Sequence, residues 1–179
     1  MCGIVGYISS SKKIDIPTFV GMIKRLDYRG YDSWGVSFKT PTKDISTHHH
    51  VGKINPELAP HGEAQSIIGH TRWSTHGAPT KENSHPHVSN DGKITLVHNG
   101  IIENYSSLKE QLKGHGFTFY GQTDSEILPN LIQFHYEQTK DIHTAIKKTL
   151  QNIKGTYGIT FIHQDYDTLF FARKDSPLL

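Results

Sequence analysis

The sequence predicts an α+β domain with sheets layered between helices, in the order α/β/β/α, and three patterns predict it. Short apolar segments with a period of two occupy the N-terminal half, segments with a helical period follow, and a pair of alternating segments closes the chain. Strands grouped ahead of helices fit a layered domain better than a doubly wound parallel sheet.

Taken in order, Ile4, Gly6 and Ile8 alternate with Gly3, Val5 and Tyr7 as a strand over residues 2–8. Asp15, followed by Pro17 in the first turn, opens a helix with Phe19, Met22, Ile23 and Leu26 at helical spacing. Trp34, Val36 and Phe38 alternate as a half-buried strand, and SIIGHT (66–71) and KITLVHN (93–99) are short apolar runs ending in chemically capable side chains. Residues 72–92, rich in Gly, Pro, Asn, Ser and His, show neither period, and a loop of that length in a compact domain is more often functional than idle. Leu108 and Leu112 mark one helix. In 122–138, Thr123 three residues before Glu126 reads as a capping box, leading into Ile127, Leu128, Leu131 and Ile132. A further helix carries Ile142, Ala145, Ile146, Thr149, Leu150 and Ile153 on one face, with Gly155 as its stop. TYGITFIH (156–163) and TLFFAR (168–173) flank the polar turn QDYD as a β-hairpin.

A chain of 179 residues is one domain's worth and can bury its own core. A single cysteine forbids an internal disulfide, and no basic segment leads into an apolar one at the N-terminus, so a cytoplasmic protein is expected. No apolar run reaches membrane length, and 19 basic against 17 acidic residues leave a formal charge of +2 without a basic block. Membrane and nucleic acid are therefore not expected as partners. Thirteen histidines raise a metal site, but HHH (48–50) and HPH (85–87) lack both a His-x3-His spacing and a cysteine partner. Adjacent histidines on a strand also point in alternating directions, so neither metal nor cofactor is expected.

Four groups carry candidate chemistry. Once Met1 is removed, Cys2 holds a thiol and a free α-amine in one residue, and an α-amine titrating near about 7.7–8.0 can take the thiol proton. Asn99 and Gly100 pair an amide side chain with an approachable backbone N–H, the makings of an oxyanion hole, although a strand ending in an Asn-Gly turn is the plainer reading of the pair. Arg72 offers a planar fork for a carboxylate and Asp124 an anion for an ammonium group, together matching the two ends of an amino acid. A structural ion pair and a helix-start acid are the plainer readings of those two. Arg29, Gly30 and Asp32 in YRGYDSWG read as a turn before a strand.

In this order, MCGIVGYI, YRGYDSWG, GHTRWSTHG, SHPHV, HNGIIENY and TDSE resemble the glutamine amidotransferase family of N-terminal-nucleophile hydrolases, and the resemblance spans almost the whole chain. YRGYDS and RWSTHG favour the glutaminase domain of the fructose 6-phosphate amidotransferases over that of the amidophosphoribosyltransferases. The resemblance implies the four-layer α/β/β/α fold and L-glutamine as substrate. Cys2 would be the nucleophile with its own amine as base, and Asn99 and Gly100 the oxyanion hole. Arg72 and Asp124 would bind the substrate's α-carboxylate and α-amine; Trp73, Thr75 and His76 would line the pocket, and Arg29 and Gly30 would close over the nucleophile. Trp34 departs from the small residue usual in the family. Residues 1–179 would form one glutaminase domain, lacking its C-terminal strands and the sugar-phosphate isomerase domain that would use the ammonia. A non-catalytic glutamine-binding module is the alternative, and homo-oligomerisation stays open.

Overall fold

A computed structural model describes residues 2–73 and 78–177. In chain order the elements are β1 (Gly3–Ile8), β2 (Ile14–Asp15), α1 (Ile16–Lys24), β3 (Ser33–Lys39), β4 (Ile45–Val51), β5 (Glu63–Ala64) and β6 (Ser66–Arg72). There follow β7 (His87–Val88), β8 (Ile94–Ile102), α2 (Tyr105–Gly114), α3 (Ile127–Thr139), α4 (Ile142–Asn152), β9 (Gly155–His163) and β10 (Leu169–Lys174).

Two four-stranded sheets form, ordered β1-β6-β3-β4 and β10-β9-β8-β7, and their neighbouring strands run antiparallel. The period-two pattern divides each strand between two faces. On the outer face of the first sheet, Trp34, Val36 and Ile67 bury against Phe19, Val20 and Ile23 of α1. On the outer face of the second, Leu96, Ile159 and Phe161 share a core with residues of α2, α3 and α4. Between the sheets lies a smaller cluster of Ile68, Val97 and Ile162, edged by Ile4, Ile45 and Leu169. This inner layer is unusually polar: Thr95 Oγ1 donates to Ser37 Oγ at 2.8 Å across the sheets, and buried histidines take the place of apolar side chains. The α/β/β/α order expected from the sequence is thus the observed architecture.

Local details separate what the sequence signals meant from how they are used. Asp15 caps α1, accepting the Thr18 N–H at 3.0 Å with Pro17 in the first turn. The helix ends at Lys24, so Leu26 lies beyond it and packs under Gly3, while Met22 is 42 % exposed. The capping box at Thr123 and Glu126 does not form. Thr123 Oγ1 pairs with His87 Nε2 at 3.0 Å, and the Glu126 carboxylate instead accepts N–H groups of Tyr120 and Gly121. Tertiary partners win because both side chains are buried and must satisfy their polar atoms there. Trp34 is fully buried beneath α1 and stacks on His50, with ring centroids 4.4 Å apart.

Candidate active site

Antiparallel pairing of β1 with β6 sets Gly3 opposite Thr71, which brings Cys2 to the exit of β6. There the Trp73 N–H donates to Cys2 Sγ at 3.3 Å. The Cys2 carbonyl accepts from Arg29 Nε at 3.2 Å and from Asn99 Nδ2 at 3.0 Å. Three separate segments therefore hold a residue next to the chain end, where fraying is the norm.

Asn99 and Gly100 lie within β8, opposite Gly158 and Tyr157 of β9. The Asn99 side chain points into the inter-sheet layer, its Oδ1 2.9 Å from His70 Nε2. Gly100 has φ +135°, and a Cβ there would collide with the Thr156 carbonyl oxygen. The Asn-Gly pair is thus strand, not hairpin turn. Asp124 opens a single 3-10 turn, Asp124–Glu126, and its Oδ2 accepts the Ile102 N–H at 2.6 Å, so the end of β8 anchors it. Arg72 is buried, with Nη1 donating to the Ala78 carbonyl at 3.3 Å. Burial lowers its pKa, opposed by the nearby Cys2, Asp32 and Asp124.

One cavity of about 570 Å³ gathers these groups: Cys2, Arg29, Arg72, Trp73, Asn99, Gly100 and Asp124 all line it. Cationic and anionic side chains face the same space, as an amino acid's two charged ends require. Gly30 does not line it; it packs against the Arg72–Trp73 backbone and its carbonyl accepts from the Thr71 hydroxyl. Thr75 and His76 lie outside the described residues. The wall also includes Glu103, Tyr105 and the segment Asp175–Pro177, which the sequence reading did not single out. Only the local motifs carried a signal, and Asp175 arrives at the end of the β9–β10 hairpin, through a bridge to Tyr157.

Histidines surround the back of this cavity. His70 and His85 stack with centroids 4.2 Å apart, and His85 Nδ1 accepts the His98 N–H at 3.2 Å. Burial pushes His70 and His87 down to about 3 and His85 well below its ordinary range. Burial also lowers His98, partly offset by Asp124. On β4 the three adjacent histidines do alternate: His48 and His50 stack on Phe38 and Trp34, while His49 Nε2 meets the Pro86 carbonyl at 2.7 Å. Among the described residues no group of three or more His, Cys, Asp or Glu side chains is arranged to hold a metal ion. Nor, among these residues, is any helix long and apolar enough to cross a membrane.

The glutamine amidotransferase domain family matches residues 70–177, the stretch that carries Arg72, Asn99, Gly100 and Asp124. The chain belongs to the glutamine amidotransferase family. Over its whole length this amidotransferase domain is 40 % identical to the isomerizing glutamine–fructose-6-phosphate aminotransferase of Thermus thermophilus. It is 43 % identical to that of Methanosarcina acetivorans and 38 % to that of Leifsonia xyli. It spans about 30 % of the length of each of these relatives. Among solved structures, the domain resembles the glutamine phosphoribosylpyrophosphate amidotransferase of B. subtilis, complexed with ADP and GMP. That likeness has a TM-score of 0.66 and 26 % identity, over 91 % of this chain and 35 % of that one. An allosteric regulatory enzyme of purine biosynthesis gives a TM-score of 0.73 at 25 % identity, over 92 % of this chain and 36 % of that one.

Proposed function

We propose that this domain hydrolyses the side-chain amide of L-glutamine, with Cys2 as nucleophile, and that the ammonia serves amination of fructose 6-phosphate. The observation that carries this reading is the single cavity shared by Cys2, Arg72, Asn99, Gly100 and Asp124. Arg72 takes the substrate α-carboxylate, and Asp124 offers the α-ammonium the oxygen not engaged by Ile102. With Met1 removed, the Cys2 α-amine accepts the thiol proton as sulfur attacks the amide carbon. The developing oxyanion takes hydrogen bonds from the second Asn99 Nδ2 proton and the Gly100 N–H. Collapse of the intermediate expels ammonia with a returned proton and leaves a γ-glutamyl thioester, which water cleaves to glutamate and free Cys2. Trp73 walls the pocket, and Arg29 steadies the nucleophile through its carbonyl. Identity of 36–43 % to the fructose-6-phosphate aminotransferases, against 25–26 % to the two solved structures, favours the sugar phosphate as acceptor. The partner in that reaction is a sugar-phosphate isomerase domain, and the expected compartment is the cytoplasm.

The test begins with intact mass spectrometry to establish loss of Met1, then measures glutamate release. Cys2→Ala should abolish turnover and covalent labelling by a glutamine-like diazoketone. Asn99→Ala should lower kcat by roughly 10²–10³-fold, about 2.7–4 kcal/mol of transition-state stabilisation. A folded, Met1-free protein whose Tm rises with glutamine but which releases no glutamate overturns the proposal in favour of a binding module.

A further inference from the structure

We infer that His70 is the positioning residue for the Asn99 amide: its neutral imidazole donates Nε2–H to Asn99 Oδ1 and so keeps Nδ2 facing the Cys2 carbonyl at the cavity wall. The inference rests on the reading of Asn99 as an oxyanion donor.

An asparagine amide presents an oxygen at one end and an NH2 at the other, and its terminal torsion is broad and nearly two-fold. Its orientation must therefore be imposed by neighbours. The Cys2 carbonyl oxygen, 3.0 Å away, can only accept, so the NH2 group must face it. Oδ1 then faces His70 Nε2 at 2.9 Å, and that contact requires the proton on Nε2. His70 is fully buried, and burial holds its pKa at about 3, so at neutral pH it carries one N–H only. With that proton on Nε2, Nδ1 is a bare nitrogen, in keeping with its lack of any hydrogen-bond partner among the described residues.

The ring itself is held by a stacking neighbour. It projects from β6 into the inter-sheet layer and stacks on His85 with planes 17° apart. His85 in turn accepts the N–H of His98, the residue before Asn99 on β8. Strand, ring and amide thus form a closed loop of contacts. If Asn99 flipped, Oδ1 would oppose the Cys2 carbonyl and Nδ2 would oppose an N–H donor. An attacked substrate would then find an oxygen where it needs a proton donor. A histidine that merely filled the inter-sheet layer would affect stability without regard to catalytic step or to Asn99.

Five proteins carry the test: the Met1-free parent, His70→Phe, His70→Gln, Asn99→Ala and the His70→Phe/Asn99→Ala double variant. Phenylalanine keeps a stacking ring and removes the donor; glutamine restores an N–H near the same place. For glutamine hydrolysis, His70→Phe should lower kcat about tenfold or more with KM within about twofold, and His70→Gln should recover most of the loss. Added to Asn99→Ala, His70→Phe should cost less than about twofold more, because its partner is already gone. Parental kcat in folded His70→Phe, or an undiminished loss on the Asn99→Ala background, overturns the assignment. Ring 15N–1H correlation spectra of the parent provide a readout independent of turnover and of variant folding. They should show His70 neutral with the proton on Nε2, and an Nδ1–H tautomer refutes the inference. Absence of glutaminase activity in the parent would sink the functional reading, while these spectra still decide the tautomer that orients Asn99.

Discussion

Gly100 shows how tightly single residues are constrained beside the cavity. Its φ of +135° is disfavoured for any L side chain, and a Cβ would run into the Thr156 carbonyl of the paired strand. Gly100→Ala should therefore cost about 2 kcal/mol or more, read as a lower urea midpoint with an unchanged m value. A variant as stable as the parent would show that the strand yields there. Several neighbouring residues were legible in the sequence because their chemistry is local: a lone cysteine behind Met1, an Asn-Gly pair, an arginine at a strand end. Their partners were not. Asp124 looks like a helix-start acid, yet its anchor is the N–H of Ile102, which nothing in TDSE announces. His70 sits in the quoted GHTRWSTHG, but its value lies in facing Asn99, 29 positions away.

At the scale of elements, periodicity was a dependable guide where an element buries one face and solvates the other. α4 buries Ile142, Ala145 and Thr149 as its pattern requires, and β9 and β10 pair across the polar turn that predicted a hairpin. Cap signals divide into two cases. At α1 the Asp15 side chain is exposed and accepts from the N–H and hydroxyl of Thr18, so Asp15→Ala should destabilise the domain by about 1 kcal/mol in urea denaturation. No measurable change would mean that packing of Phe19 and Ile23 alone secures the helix. Thr123 has the same kind of sequence signature, but its hydroxyl is taken by buried His87. Its replacement by valine should cost about 1–3 kcal/mol through the stranded imidazole nitrogen rather than through a frayed helix. Hydrogen exchange across α3 separates these causes, since only a lost cap would speed exchange in its first turn.

Across the whole molecule, the interior trades apolar filling for neutral histidines, and this ties stability to pH. An unfolded histidine titrates near 6.5, whereas His70 and His87 are held at about 3 and His85 well below its ordinary value, in each case chiefly by burial. Below 6.5 the unfolded chain binds protons that the folded one refuses. Stability is therefore complete above pH 6.5 and declines through the window from about 6.5 to about 3, each residue contributing roughly 1 kcal/mol per pH unit. Melting temperatures should be level above pH 7 and fall steeply between pH 6 and 4; a level profile there would mean that water reaches these rings. By itself the sequence determined most of the strands and helices, though not β4 or β7, together with the layered class and the identity of most chemically capable groups, because hydrophobic period and side-chain chemistry are local properties. Tertiary structure alone decided which strands pair, that the Cys2 carbonyl meets Asn99 and Arg29, and that Asp175–Pro177 reach the cavity wall. Those contacts join segments far apart in the chain, and their geometry follows from sheet register and from the need to satisfy every buried polar atom, neither of which a local pattern contains.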